Sequence, residues 1–333
     1  MLPHYGKKQR KTIRNTYNNY NKRLVRIEMS IKDLDSHKEL VKKMDLKLID
    51  FNDNKEGIRK IQVEILLEVD RICKKHHIPY QLFAGTLLGA VRHKGFIPWD
   101  DDLDICMIRN DYERFIEVCK QELGPKFFLQ TCYTEKDWYS QFSKLRRNDS
   151  LFVQYIYLEL DIHYGIFIDI FPLDNVKPNK VIGTIQRWAT GKFYKYCKTR
   201  TKYRLMRARR RIRYYNYFFH YALKPIPKKV MRYLHKKTLT MFNGEKTEYV
   251  SHLTNTSSLE FYSKHLIRRE DFYDMIEGEF EGHKIPIPRS YDKVLKKLYG
   301  DYMKLPPKSR RIPHHFIVEL EFPPEKEEEI RNS

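Results

Sequence analysis

The chain has 333 residues, 41% of them hydrophobic and 14% aromatic, with a formal net charge of +21. That length buries a full core, as one enlarged domain or two modest ones. No apolar run reaches the roughly 18–20 residues of a spanning helix, the basic start has no apolar signal core, and five cysteines without a CxxC pair suggest neither a zinc site nor a disulfide framework; they suit reduced thiols in a cytosolic protein.

The charge is unevenly placed. Residues 1–55 hold 14 basic and 7 acidic residues, whereas the 70 residues between Asp174 and Glu245 hold 20 Lys or Arg and no acid. The rest is mildly acidic. The basicity therefore belongs to an N-terminal arm and to one insertion, and it points both at an anionic surface.

In chain order, residues 1–26 are basic and tyrosine-rich without apolar periodicity, as expected of an arm disordered on its own. Residues 27–50 carry helical spacing. Asn52-Asp53-Asn54 breaks and caps before a strongly amphipathic helix over 56–76, whose apolar face is Ile58, Ile61, Ile65, Leu66, Val69, Ile72 and Cys73; Ile78-Pro79 stops it. A short strand follows at 80–83. Gly85-Thr86 turns into a helix to Arg92, and 103–108 is the next strand. Asn110 with Glu113 has the form of a capping box for a helix to Glu122, ended by Gly124-Pro125. Further strands are predicted at 127–131, 139–145, 151–156 and 165–171. Residues 181–242 read as helices with bands of Arg/Lys and aromatics, notably at 209–215 and 217–221. A last helix over 289–299 closes at Gly300, Pro306-Pro307 begins a coil, and the acidic tail at 325–329 is expected in solvent. There is no internal repeat. The chain so divides into an arm (1–55), a catalytic core (56–180), a basic aromatic helical insertion (181–245) and a C-terminal part that completes the catalytic domain (246–333).

The chemistry concentrates between Gly85 and Asp104. Asp102 and Asp104 are two apart on a strand, so both side chains project from one face. Hard oxygen ligands there, with a third carboxylate from a neighbouring strand, hold one or two Mg²⁺ or Mn²⁺ ions against substrate phosphates. Asp169 is the natural third, because a lone Asp inside Ile-Phe-Ile-Asp-Ile-Phe is costly if buried unpaired. The plainer alternative is an acidic turn through Asp100, Asp101 and Asp102 capped by Asp104. Gly85 and Thr86 would let a phosphate approach the start of a helix, or serve the turn alone. Arg92, His93 and Lys94 would neutralise a transferring phosphoryl group, or simply end a helix in solvent. Trp99 packs under the strand or stacks on a base or choline-like cation. Lys144, Arg146 and Arg147 meet phosphate or line a solvated edge. His163 is a candidate base, and Asp174 reads as a turn residue. Arg310, Arg311, His314 and His315 either close over the site or belong to a surface tail.

The element order is helix, strand, Gly-Thr, helix, Asp-x-Asp strand, then a later strand Asp. It outlines an α+β nucleotidyltransferase-type fold, a mixed sheet flanked by helices, carrying a basic, mainly helical insertion. At Ala84–Asp104, Arg109–Phe115, Gly165–Asp174 and Leu298–Pro307 the chain resembles the LicD family, the phosphorylcholine-transferase group to which the fukutin-type proteins are related. The resemblance spans about 56–174 and 289–315. It implies transfer of a phospho-alcohol group from a CDP-activated donor to a hydroxyl of a cell-surface glycan (capsule, teichoic acid or lipopolysaccharide) or its lipid-linked precursor, with release of CMP. It implies Asp102, Asp104 and Asp169 as metal ligands and catalytic residues. Gly85, Thr86, Arg92, His93, Lys94, Trp99, Lys144, Arg146, Arg310 and His314 are the candidate substrate contacts. Ala84 departs from the family pattern, which often has a second Gly there. The basic aromatic segment is expected on anionic lipid, making a bacterial protein peripheral at the inner face of the cell membrane. Two other readings share the same features: nucleotidyl transfer from an NTP, and nucleic-acid binding by the arginine-tyrosine segment, which leaves the acids unexplained.

Overall fold

The computed structural model describes residues 41–42, 46–158, 160–178, 181–201, 221–254 and 259–325. The basic-aromatic runs at 209–215 and 217–220, most of the arm and the tail after 325 lie outside the described residues. Helix α1 (Lys55–His76) follows a turn at 52–54 and ends where His77 adopts a left-handed φ of 51°. Asn54 occupies the N-cap position without a side-chain cap bond; its amide donates instead to the Asp50 carbonyl. The helix predicted over 27–50 does not extend through 46–50, which carry no regular secondary structure.

Strand β1 (Gln81–Leu82), helix α2 (Ala84–His93), strand β2 (Asp104–Ile108) and helix α3 (Arg109–Glu122) come next. The capping box is not formed: Ile108 is the N-cap of α3, and Arg109 already lies inside the helix. Then follow β3 (Phe127–Gln130), β4 (Ser143–Arg147), β5 (Leu151–Gln154) and β6 (Phe167–Val176). Helices α4 (Val181–Thr201) and α5 (Lys228–Leu239) are the described part of the basic segment. The C-terminal part holds more than the one helix predicted: β7 (Tyr249–His252), α6 (Leu259–Lys264), β8 (Leu266–Arg268), α7 (Arg269–Tyr273), the hairpin β9–β10 (Met275–Phe280, His283–Pro288), α8 (Tyr291–Tyr299) and β11 (Ile317–Glu321).

The main sheet runs β1-β2-β6-β4-β3, with β7 and β8 extending it from the second half of β6. It is mixed: β2 pairs β6 in parallel, and the other pairings are antiparallel. All ten residues of β6 are buried, because both sheet faces are covered. Ile105, Met107, Leu145, Ile168 and Ile170 face one core with the apolar stripe of α1 and with Phe115 of α3. Cys106, Ile108, Phe171 and Leu173 face a second core with Trp138, Tyr155, Cys197 of α4 and Met231 of α5. The architecture is α+β, with the sheet between these two layers. Among the described residues no helix is long and apolar enough to cross a membrane. All five cysteines are buried and unbridged.

Candidate active site

Register places the acids. Asp104 opens β2 directly opposite Asp169 of β6, and Asp169 is directly opposite Lys144 of β4. Side chains opposite one another in neighbouring strands share a face, about 5 Å apart from strand to strand. Lys144, Asp169 and Asp104 therefore form a row across three strands on the second-core face. Asp102 lies two residues upstream of β2, in the extended lead-in rather than the strand itself. Leu103 between them accepts the Asp169 N–H at 2.8 Å, which ties this lead-in to β6.

Lys144 and Asp169 are buried and Asp104 is half-buried, and the row is short of positive charge. Burial and the carboxylates of Asp102, Asp169 and Asp100 push Asp104 well above the usual carboxylate range, with Lys144 only partly opposing them. Burial likewise raises Asp169, against the pull of the Lys144 ammonium, which donates to its Oδ1. Burial lowers Lys144 to about 8, and its ammonium sits 3.4 Å from the centroid of the Phe167 ring. Asp100 is raised by burial and by Asp102 and Asp101. Carboxylates that hold protons because they crowd one another are the donor set a hard divalent cation satisfies. The carboxylates of Asp100, Asp101 and Asp102 and a ring nitrogen of His314 have ligand atoms within 4.8 Å of one another.

The preceding turn is built to bring α2 against this cluster. A Cβ on Gly85 would stand 2.9 Å from Asp100 Oδ2, so glycine lets the carboxylate rest on the first turn. Ala84 sits at φ 45°, a conformation that costs an L-residue and not glycine. Thr86 is buried, and its Oγ1 accepts the Asp104 N–H at 2.8 Å, fixing the start of β2 to the start of α2. From behind, Arg59 donates to the carbonyls of Ile97 and Asp100, and Gln62 to the carbonyl of Asp101.

Asp101 is a latch. Fully buried, it accepts the backbone N–H groups of His314 at 3.1 Å and His315 at 2.8 Å, while His315 Nδ1 stands 3.2 Å away. Burial opposes charge on both, but their mutual attraction wins: Asp101 is lowered and His315 raised. This strap carries the exposed His314 ring, whose Nδ1 is 3.8 Å from Asp100 Oδ1. The sequence reading named His314 but gave Asp101 no more than a turn. Tyr299 is the other contact that the sequence does not single out: although 45% of the residue is exposed, crowding around its hydroxyl and then the charges of Asp100, Asp104 and Asp102 raise the hydroxyl pKa. It lies nearly 200 residues downstream, and only its place in the quoted Leu298–Pro307 stretch signalled it.

Other candidates fall elsewhere. Arg92, His93 and Lys94 end α2, roughly 10–14 Å along the helix from Gly85 at ~1.5 Å per residue. Arg92 donates to the Tyr302 carbonyl at 2.7 Å, and Lys94, at φ 59°, caps the helix. Trp99 packs against the first core with the Arg311 guanidinium 5.3 Å over its ring. Arg146 and Arg147 do not line a solvated edge. Both are buried, Arg146 bonded to Gln130 and to the Gly165 carbonyl, Arg147 paired with Glu64 and with Glu325, the still exposed first residue of the acidic tail. Arg310 is exposed in a 3₁₀ turn. His163 has both ring nitrogens engaged, Nδ1 accepting from the Gly165 N–H and Nε2 donating to Asn148. Asp174 is no turn residue: it is buried in β6 and paired with Arg109 through two bonds of 2.8 Å.

Comparison with known proteins agrees with this geometry. The family model described as LicD/FKTN/FKRP, nucleotidyltransferase domain, matches residues 77–196. The chain is 31% identical over 263 residues to the lipopolysaccharide cholinephosphotransferase LicD of Haemophilus influenzae, covering 73% of this chain and 89% of that protein. It is also 41% identical over 64 residues to an uncharacterized protein of Rickettsia prowazekii, a stretch covering 19% of this chain and 22% of that one.

Proposed function

Because the chain belongs to the LicD family, we propose that it is a Mg²⁺- or Mn²⁺-dependent phosphotransferase. It moves a phospho-alcohol group, phosphocholine or a close analogue, from a CDP-activated donor to a hydroxyl of a cell-surface glycan or its lipid-linked precursor, releasing CMP. The relative that aligns over 89% of its length is named as a lipopolysaccharide cholinephosphotransferase, which supports a glycan acceptor and this transferred group. The observation that carries the proposal is the row of Lys144, Asp169 and Asp104 across three strands, with Asp102 two residues upstream and the start of α2 packed against it.

Asp102, Asp104 and Asp169 would hold the cation, since their oxygens are hard donors and Lys144 offsets only part of their crowded charge. When bound, it supplies positive charge to the phosphate oxygens of the donor. Gly85 and Thr86 present the N-terminal field of α2 to those phosphates. Thr86 keeps Asp104 in register, and Lys144 holds Asp169 and offsets part of its charge. The acceptor oxygen forms a bond to the phosphorus that carries the alcohol while the bond to the CMP oxygen breaks. The hydroxyl proton passes to a carboxylate of the row. Asp101 holds the His314–His315 strap at the rim.

The test is the double substitution Asp102→Asn with Asp104→Asn, followed by CMP release from CDP-choline, CDP-glycerol and CDP-ribitol. Loss of turnover at an unchanged melting temperature supports the proposal. Undiminished metal-dependent turnover refutes it, and pyrophosphate release from an NTP without CMP release replaces it by nucleotidyl transfer.

A further inference from the structure

The first three turns of helix α4 are amphipathic the wrong way round for a surface helix, whereas its later turns pack Phe193, Tyr194 and Cys197 on the second core. Its buried positions include Gly183, Gln186 and Thr190, and the Gln186 amide donates to the carbonyls of Asn175 at 3.2 Å and Leu239 at 2.9 Å. Its outward positions are apolar: Val181 is 81% exposed, Ile182 47%, Ile185 51% and Trp188 63%. These recur at helical spacing on one side, where water would ordinarily meet charge. Helix α5 packs antiparallel on α4, Leu239 meeting Gln186 and His235 meeting Tyr194. It too turns apolar side chains outward, Val230, Tyr233 and Leu234. The start of α4 buries polar groups and exposes apolar ones, and α5, although it buries Met231 and Leu239, exposes three more; apolar side chains at helical spacing on two packed helices are a reason for a partner, unlike scattered exposed hydrophobics.

The charge on the same stretch says which partner. From residue 175 to residue 244 there are 20 Lys or Arg and no acid. A second copy of this face would bring like charge against like, and nucleic acid would leave Val, Ile and Trp without a use. A surface that is apolar and cationic together matches an anionic lipid leaflet, where the acyl boundary takes the apolar side chains and the headgroups take the Lys and Arg. We propose that the outward face of α4 and α5 docks on an anionic bilayer, with Ile185 and Trp188 entering the acyl boundary. Lys192, whose ammonium lies 5.6 Å over the Trp188 ring, stands at headgroup level beside it. Each basic residue close to the leaflet contributes about fivefold to partitioning. The apolar entry adds a part that salt does not screen. Donor and acceptor chemistry play no role in this argument, so it stands or falls apart from the proposed reaction.

The experiment is flotation of the full chain with vesicles of phosphatidylcholine mixed with phosphatidylglycerol, against vesicles of phosphatidylcholine alone. Trp138 is buried and Trp99 half-buried, so Trp188 is the exposed fluorophore. Flotation with the anionic vesicles and a blue shift in emission, the shift being absent in Trp188→Phe, are expected. Ile185→Ser with Trp188→Ser should weaken partitioning roughly tenfold or more at an unchanged melting temperature, because both side chains are exposed. Absence of flotation overturns the proposal. So does flotation indifferent to the double substitution, and so does a dimer that this substitution disperses without any flotation, which would give the face to a second copy.

Discussion

Replacing Arg109 by Met would remove the cation from a pair that has no access to water. Asp174 is fully buried, and the guanidinium meets both its oxygens at 2.8 Å. The partner left behind keeps only the Asn243 amide at 3.3 Å, a long bond to a neutral donor. Removing one member of such a pair costs about 3–5 kcal/mol, most of it the uncompensated buried charge. The other contact of Arg109, to Glu113 at 3.2 Å, adds little, since Glu113 is partly exposed and keeps Lys236 at 3.0 Å. At ~1.5 °C per kcal/mol for a chain of this length, the melting temperature should fall by roughly 4–8 °C. The double substitution Arg109→Met with Asp174→Leu removes both charges and should recover most of that loss. Thermal and denaturant unfolding of the three variants, with CMP release measured well below their melting temperatures, tests the reasoning. A single variant as stable as the parent, or a double variant no better than the single, would refute it. Normal stability with lost turnover would move this pair from the frame of the site into its chemistry.

Ala84→Gly should raise stability by about 0.5–1 kcal/mol, because the left-handed φ costs alanine more than glycine loses in chain entropy; chemical denaturation reads it. Gly85→Ala should leave the unfolding free energy within about 1 kcal/mol of the parent, since the Asp100 carboxylate can swing away, yet cut CMP release sharply because that swing displaces the acid cluster. Mg²⁺ should raise the melting temperature more at alkaline than at acidic pH. Asp100, Asp104 and Asp169 are all raised, so the stability linked to their protons is full below the ordinary carboxylate value and fades as pH climbs through the raised ones. A cation restores it there; a shift independent of pH, or retained in the Asp102→Asn, Asp104→Asn variant, would contradict this.

Much of this was legible locally. The stripe from Ile58 to Cys73 declares α1 because period and length are properties of a short window. Asp169 drew notice because an acid inside an apolar strand demands a partner, and the strand register supplies it. Asp102 and Asp104 were readable as a pair, although only Asp104 lies in the strand. Where a local signal had two outcomes, packing chose. Asn110 and Glu113 spelled a capping box, but Arg109 was drawn into the helix by Asp174, a residue 65 positions away. Arg146 and Arg147 end a strand whose sequence allows phosphate contact or a solvated edge, and Gln130, the Gly165 carbonyl, Glu64 and Glu325 make that place an interior of paired cations.

The sequence alone determined the family and the α+β element order around the Gly85–Asp104 stretch, and it singled out the three carboxylates as candidates, since each rests on neighbours within a few residues or on a motif. Tertiary structure alone decided that Lys144 answers Asp169, that Asp101 latches the C-terminal strap, and that the start of α4 turns its apolar side outward. Those facts depend on strand register and on which helix face meets the sheet. Both are settled by burial of distant surfaces against one another, which no window of the chain contains.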